Sequence, residues 1–390
     1  RSGLAAMGAA LSYFLTVGFL NAFGIFQQYY KQTVLSDKTD FQISWLGSFA
    51  SFAIFAFAPI AGILADRIGP TLPIAVGSVA VVLAVFMTSL CKQYWQFFLA
   101  QGVLFGFGAS FTAVPASGMV PRYFQRNRGL ATGITIGGSS LGGILWPVIF
   151  DQLLHNDKIS FEMSMRIAGF VMLPLWVICV LTIRPPLKQP EKLEDGVDLS
   201  ALGKPPFILL CCGLFFALFG FTTPLYFTSA YAVSLGMSPS LAFYLSSILN
   251  GASLFGRVLP GVVADRWGKF NMLAASAFAA GIVAFCWTAA TSVAGVIVWA
   301  IMFGFTSGAI LSLQIACATT LADKDSAGAA VGIAMGSTSL AMLFGSPIAG
   351  QLVDYGYLAT AMWSGAAFIV GAGFLIASRL SQDRSLGARI

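Results

Sequence analysis

Apolar runs of about 20 residues recur along the whole of this 390-residue chain, each long enough to cross a hydrocarbon core about 30 Å thick. That repetition restricts the fold more than any single motif. Only 9% of the residues are charged, against about 25% in a soluble domain, so there is too little polar surface to cover a core of this size. Phenylalanine and glycine are both abundant, at 35 and 42 residues, as expected where helices approach closely in lipid. The chain reads as an all-α integral membrane protein with the lipid bilayer as its solvent.

Twelve spans are expected, over 4–30, 41–65, 70–91, 94–121, 128–151, 163–183, 205–233, 239–264, 270–291, 293–321, 326–353 and 357–379. The polar, proline-rich stretch "RPPLKQPEKLEDGVDLSALGKPP" at 184–206 is not a span. It separates a six-helix bundle in 1–183 from another in 205–390, with a cytoplasmic linker at 184–204. With both termini in the cytoplasm, fifteen lysines and arginines fall on the inner side. Five (Lys31, Lys38, Lys92, Lys158 and Arg166) fall on the outer side. This asymmetry accounts for the net charge of +6 without a nucleic-acid partner. Arg257 belongs to neither side. It stands eight residues before Asp265, a rise of about 12 Å along a helix, and therefore inside the membrane.

Five of the six cysteines lie inside apolar runs, and Cys91 lies at the edge of one; they read as small buried hydrophobes. The lone histidine, His155, is in a short polar connection, so no histidine metal site is expected. The sequence has no clustered nucleophile and base, no metal-ligand set and no phosphate loop; no cofactor is expected, and an enzyme is disfavoured.

The halves repeat in register. "GILADRIG" at 62–69 matches "GVVADRWG" at 261–268, an offset of 199. The same offset carries Gly129, Gly133 and Gly137 onto Gly328, Gly332 and Gly336. Each half has an even number of spans, so the copies enter the membrane in the same sense, with a substrate site expected between them. Asp66 and Asp265 are placed to accept hydrogen bonds from a neighbouring helix N-terminus, where the helix dipole favours negative charge. Arg67 and Arg266 are expected to tie nearby carbonyls or carboxylates, and the motif glycines to allow a tight turn. The basic pair Arg126 and Arg128 joins this conformational set. The six glycines of the fifth and eleventh spans are expected to form smooth faces for close helix packing.

The duplicated "GxLADRxG" motif and the six-plus-six layout resemble the major facilitator superfamily over the whole chain. The stretch "GFGASFTAVPASGMVPRYFQRNRGLATGITIGGSSLG" at 106–142 resembles the helix 4 to helix 5 signature of the monocarboxylate transporter family. "GFLNAFGIFQQYY" at 18–30 resembles its first-helix signature as found in fungal members. The resemblance implies a major facilitator fold of 12 transmembrane helices in two pseudo-symmetric six-helix bundles. It also implies alternating access and transport of a small organic anion, often together with a proton. Arg257 aligns with the arginine that binds the substrate carboxylate in that family, and its fork geometry suits that role. Its repeat equivalent is Ala58, so the charge is not part of the shared scaffold.

Two departures bear on coupling. Ser253 replaces the family's acid four residues before the arginine, and Ile25 replaces its helix 1 lysine. No aspartate or glutamate lies well inside a span, which puts proton coupling by the usual pair in question; proton symport stays open beside a facilitator, an exchanger and an exporter with another coupling route. Further cavity candidates are Asn21, Gln27, Gln28, Thr112, Tyr226, Asn250, Ser253 and Gln314, because the resemblance implies that spans 1, 4, 7 and 10 line the cavity. Phe23, Phe111, Phe227 and Phe305 are candidates to shape it for a larger ligand. The reading is a monomeric secondary transporter of the plasma membrane for a small, monocarboxylate-like anion. The alternatives are an exporter of a larger carboxylated fungal metabolite, a carrier of a vitamin-like compound and a non-transporting receptor.

Overall fold

The computed structural model describes residues 2–124, 127–154, 159–184, 200–323 and 326–385. Eleven of their helices are long and apolar enough to cross a membrane, and a shorter apolar helix, Lys269–Phe285, makes the twelfth. No strand occurs among the described residues. In chain order they are α1 Ser2–Gln32, α2 Phe41–Ile68, α3 Thr71–Thr88, α4 Tyr94–Tyr123, α5 Arg128–Leu154 and α6 Phe161–Thr182. Then come α7 Pro205–Ser234, α8 Pro239–Trp267, α9 Lys269–Phe285, α10 Val293–Leu321, α11 Ala327–Val353 and α12 Tyr357–Gln382.

The apolar runs locate these limits to within three residues except at the end of α9, which stops at Phe285 rather than at 291. A short 3-10 turn, Trp287–Ala289, follows, and Cys286 is exposed rather than buried as expected. Pro205 at the first position of α7 fixes the end of the linker region, because proline suits a helix start where its missing N–H is not needed.

Several helices are interrupted. α1 breaks at Thr16 and again at Asn21 and Ala22. α2 breaks at Phe57, where Pro59 cannot donate to the carbonyl of Phe55. α4 carries a π-helical turn over Phe98–Leu104, and α11 breaks at Ser337 and Thr338. Backbone of this kind at membrane depth is tolerated where protein or a wet cavity surrounds it.

One apolar cluster draws on residues between Ala9 and Ile183, and another on residues between Leu202 and Leu375. A third joins both sets, packing Tyr13, Ala58, Phe111, Val114 and Ile136 against Ile315, Val331 and Met335. The glycine faces make this junction. Gly133 lies against the carbonyl of Arg257, and Gly332 lies against the carbonyl of Ala58, the repeat-equivalent position. Gly129 abuts Gly261 in the same way that Gly328 abuts Gly62. A β-carbon at any of these positions would collide with backbone. Lipid offers no hydrophobic drive for helix association, so close backbone contact of this kind holds α5 on α8 and α11 on α2.

Candidate functional site

A cavity of about 570 Å³ lies between these helix pairs. α1 lines it with Val17, Asn21, Phe23 and Gln28, α2 with Ser51 and Phe55, and α7 with Phe221 and Tyr226. α8 contributes Ser246, Asn250, Ser253 and Arg257, a stripe with spacings of four, three and four residues that keeps one helix face to the cavity. The wall reaches Gln28 near the end of α1 and Val233 near the end of α7, both exposed. The cavity therefore runs toward the end of the molecule opposite the two Asp-Arg motifs.

At the motif end it is shut by a pair of clasps. Asp265 of α8 accepts hydrogen bonds from the backbone N–H groups of Gly129 (2.8 Å) and Leu130 (3.0 Å) at the N-terminus of α5. Asp66 of α2 accepts from Gly328 (3.1 Å) and Ala329 (2.6 Å) at the N-terminus of α11. Each carboxylate meets orphan donors and the positive end of a helix dipole, as the motif led us to expect. Arg122 of α4 adds an ion pair to Asp66. Arg128 donates to the carbonyl of Thr319 on α10 at 3.3 Å. Gly69 and Gly268 turn the chain after each motif with φ of +86° and +105°, a region where glycine is favoured.

Arg67 and Arg266 do not tie the clasps. Both are exposed, and neither makes a hydrogen bond or ion pair with a described residue. Adjacent helical residues point about 100° apart, so an aspartate aimed at the interface turns the next arginine away. Arg126 lies outside the described residues, as does His155.

Arg257 stands on α8 at the buried part of the cavity wall. Its Nη1 donates to the carbonyl of Ile136 at 2.7 Å and to the Ser139 hydroxyl, both on α5. Its backbone carbonyl accepts from Ser312 of α10 at 3.2 Å. The Nε–H is buried and has no partner. The arginine is thus positioned by two neighbouring helices while part of its donor fork is unused. A buried polar group left in that condition calls for a water or a ligand.

Asn21, Gln28, Tyr226, Asn250, Ser253 and Arg257 all line the cavity, as expected. The Asn21 amide donates to Asn250 Oδ1 at 3.4 Å, bridging α1 and α8 beside Gly143, which leaves no room for a side chain. Thr112 and Gln314 do not line it. The Thr112 hydroxyl is spent on the carbonyls of Gly108 and Ala109, and its methyl lies over Gly77, because α4 packs on α3 through small residues. Gln314 is buried and donates to Leu311 of its own helix. No described residue of α4 lines the cavity, and α10 supplies only Leu311, whereas α8 supplies more of its polar wall than any other helix. Gln27 is half-buried outside the lining, Phe111 packs on Phe107, and Phe305 is exposed; of the four candidate phenylalanines only Phe23 faces the cavity. Ser51, Ser229 and Ser246 were not singled out from the sequence, although the spacing of Ser246 from Asn250 marks it.

The sequence profile described as Major Facilitator Superfamily matches residues 4–346. The chain belongs to that superfamily. The Agnestins efflux protein AgnL12 of Paecilomyces divaricatus is 44% identical over 99% of this chain and 89% of the relative. The Aspyridones efflux protein apdF of Emericella nidulans is 38% identical over 95% of this chain and 76% of the relative. The fold of this major facilitator protein is similar to that of the human organic anion transporter MFSD10, with a TM-score of 0.73 at 13% identity, covering 96% of this chain and 98% of that one. It is also similar to that of the E. coli fucose:proton symporter FucP, with a TM-score of 0.72 at 18% identity and the same coverage. These comparisons establish a membrane transporter of the superfamily. Two of these relatives, from Paecilomyces divaricatus and Emericella nidulans, are named as efflux proteins.

Proposed function

We infer that this protein exports a larger carboxylated fungal metabolite by alternating access, working as a monomer in the plasma membrane with both termini in the cytoplasm. Residues 1–183 rock against 205–390. With the lysine- and arginine-rich motif end facing inward, the clasped arrangement is the outward-facing state. The cavity carries this reading. Its 570 Å³ falls in the range of pockets that enclose drug-sized molecules, and a small monocarboxylate would leave most of it unfilled. Arg257 takes the acid group at the closed end. Asn250, two helical turns away, and its partner Asn21 receive a second polar group about 10 Å from the acid. Phe23, Phe55, Phe221 and Tyr226 face the scaffold between them. Relatives named as efflux proteins support export over uptake.

Flux in proteoliposomes tests the reading, using acids graded from acetate to four-ring aromatic carboxylates. The larger acids are expected to show saturable flux, and Arg257→Gln to lose at least about tenfold of it. Saturable flux confined to the smallest acids, unchanged flux in Arg257→Gln, or binding without flux would each contradict it.

A further inference from the structure

The cavity wall holds one residue that is charged at neutral pH. Seven helices contribute to the wall, and among the described residues Arg257 is the only formal charge on it. Position 253, one turn away on the same face, is serine. Among the described lining residues Tyr226 of α7 is the other ionisable side chain, and Tyr13 of α1 packs with Ile136 and Ile315 behind the wall. Asp66 and Asp265 do not face the cavity; each is engaged at the closed end by two backbone N–H groups, and Asp66 by Arg122 as well.

The charge balance of a cycle follows. The empty cavity carries +1. A bound monoanion brings it to zero, and the loaded carrier crosses without net charge. After release outside, the empty carrier returns with its positive charge uncompensated. An inside-negative potential favours that return. Each turnover then moves one negative charge outward, with no proton needed on the protein to balance it.

We propose that the transporter is an electrogenic exporter of monoanions, reset by the membrane potential acting on the unpaired Arg257 rather than by a proton gradient. The proposal rests on the anion-export reading above and adds its energy source. A potential of 100 mV supports a concentration ratio of about 50-fold for one charge per cycle.

The test uses the full chain in proteoliposomes with two fluorescent probes, 1-pyrenesulfonate and 1-pyrenecarboxylate. The sulfonate is permanently ionised, so no proton can travel on it. Binding of each probe is measured first by fluorescence titration. Transport is then followed under a potassium–valinomycin potential, under a pH gradient at zero potential, and with chloride replaced by gluconate. Both probes are expected to accumulate on the positive side, approaching about 50-fold at 100 mV. After subtraction of movement in protein-free liposomes, which removes passage of the protonated carboxylic acid through lipid, neither the pH gradient nor the chloride replacement is expected to drive or abolish that accumulation. Probes that bind and move but respond to the pH gradient and not to the potential would overturn the proposal, leaving the anion site standing. Movement that requires chloride or substrate on the opposite side and ignores the potential would overturn it in favour of exchange. Failure of wild type to bind either probe more tightly than Arg257→Gln would overturn the anion-site reading, and this proposal with it.

Discussion

Replacing Asp265 tests whether the clasps hold the motif end shut. Its two oxygens accept from Gly129 and Leu130 at 2.8 and 3.0 Å, and it makes no ion pair with a described residue. In the opposite state water solvates the carboxylate, so only the difference between clasped and solvated counts. Hydrogen bonds to a charged group contribute about 1.5–3 kcal/mol each, and the dipole about 0.3–1 kcal/mol, but water recovers part of both. A net loss of about 2–4 kcal/mol for Asp265→Ala is a shift of about 30- to 1,000-fold in the ratio of closed to open at that end. Asp265→Asn retains one acceptor and should shift the ratio by roughly the square root of that factor. Spin labels on Asn127→Cys and Trp267→Cys, both exposed positions flanking the α5–α8 junction, report the separation in a cysteine-depleted background. The short-distance population should fall in the order wild type, Asn, Ala. An unchanged distance distribution in Asp265→Ala would refute the argument, since the two bonds would then contribute nothing specific to the closed state.

Gly332→Val drives a branched side chain into the carbonyl of Ala58. It should destabilise the α11–α2 contact by about 1–3 kcal/mol, read as a lower Tm in detergent, whereas Gly373→Val, which meets open space, should not. Thr112→Val removes a hydroxyl bonded only within its own helix, so probe affinity should stay within about twofold. Asn250→Ala removes the bridge to Asn21 and should weaken binding of acids with a distal polar group by about fivefold to tenfold, with little effect on acids lacking one.

Much of the frame was legible because bilayer thickness leaves few choices. Apolar runs of the right length mark the helices, and one offset linking "GILADRIG" to "GVVADRWG" marks the paired aspartates that clasp helix N-termini. Arg257 stood out because a guanidinium at that depth needs a reason. The rest depended on which way side chains turn. Thr112 and Gln314 looked like cavity residues because polar groups in apolar spans are conspicuous, yet both bond to their own helices. Arg67 and Arg266 share a motif with the aspartates but not their direction. The breaks in α1 at Asn21 and α11 at Ser337 carry no proline, so only tertiary packing reveals them; the break in α2 has Pro59 beside it but was not anticipated either.

The central claim is that Arg257 receives the anionic group of the cargo at the closed end of the cavity. Comparing the affinity of 1-pyrenesulfonate with that of neutral 1-pyrenemethanol, in wild type and in Arg257→Gln, tests it most directly. Wild type should prefer the anion by about 30-fold or more, and the preference should collapse to near unity in Arg257→Gln while the neutral probe binds as before. An identical anion preference in both proteins would contradict the account and leave Arg257 as a brace between α8 and α5.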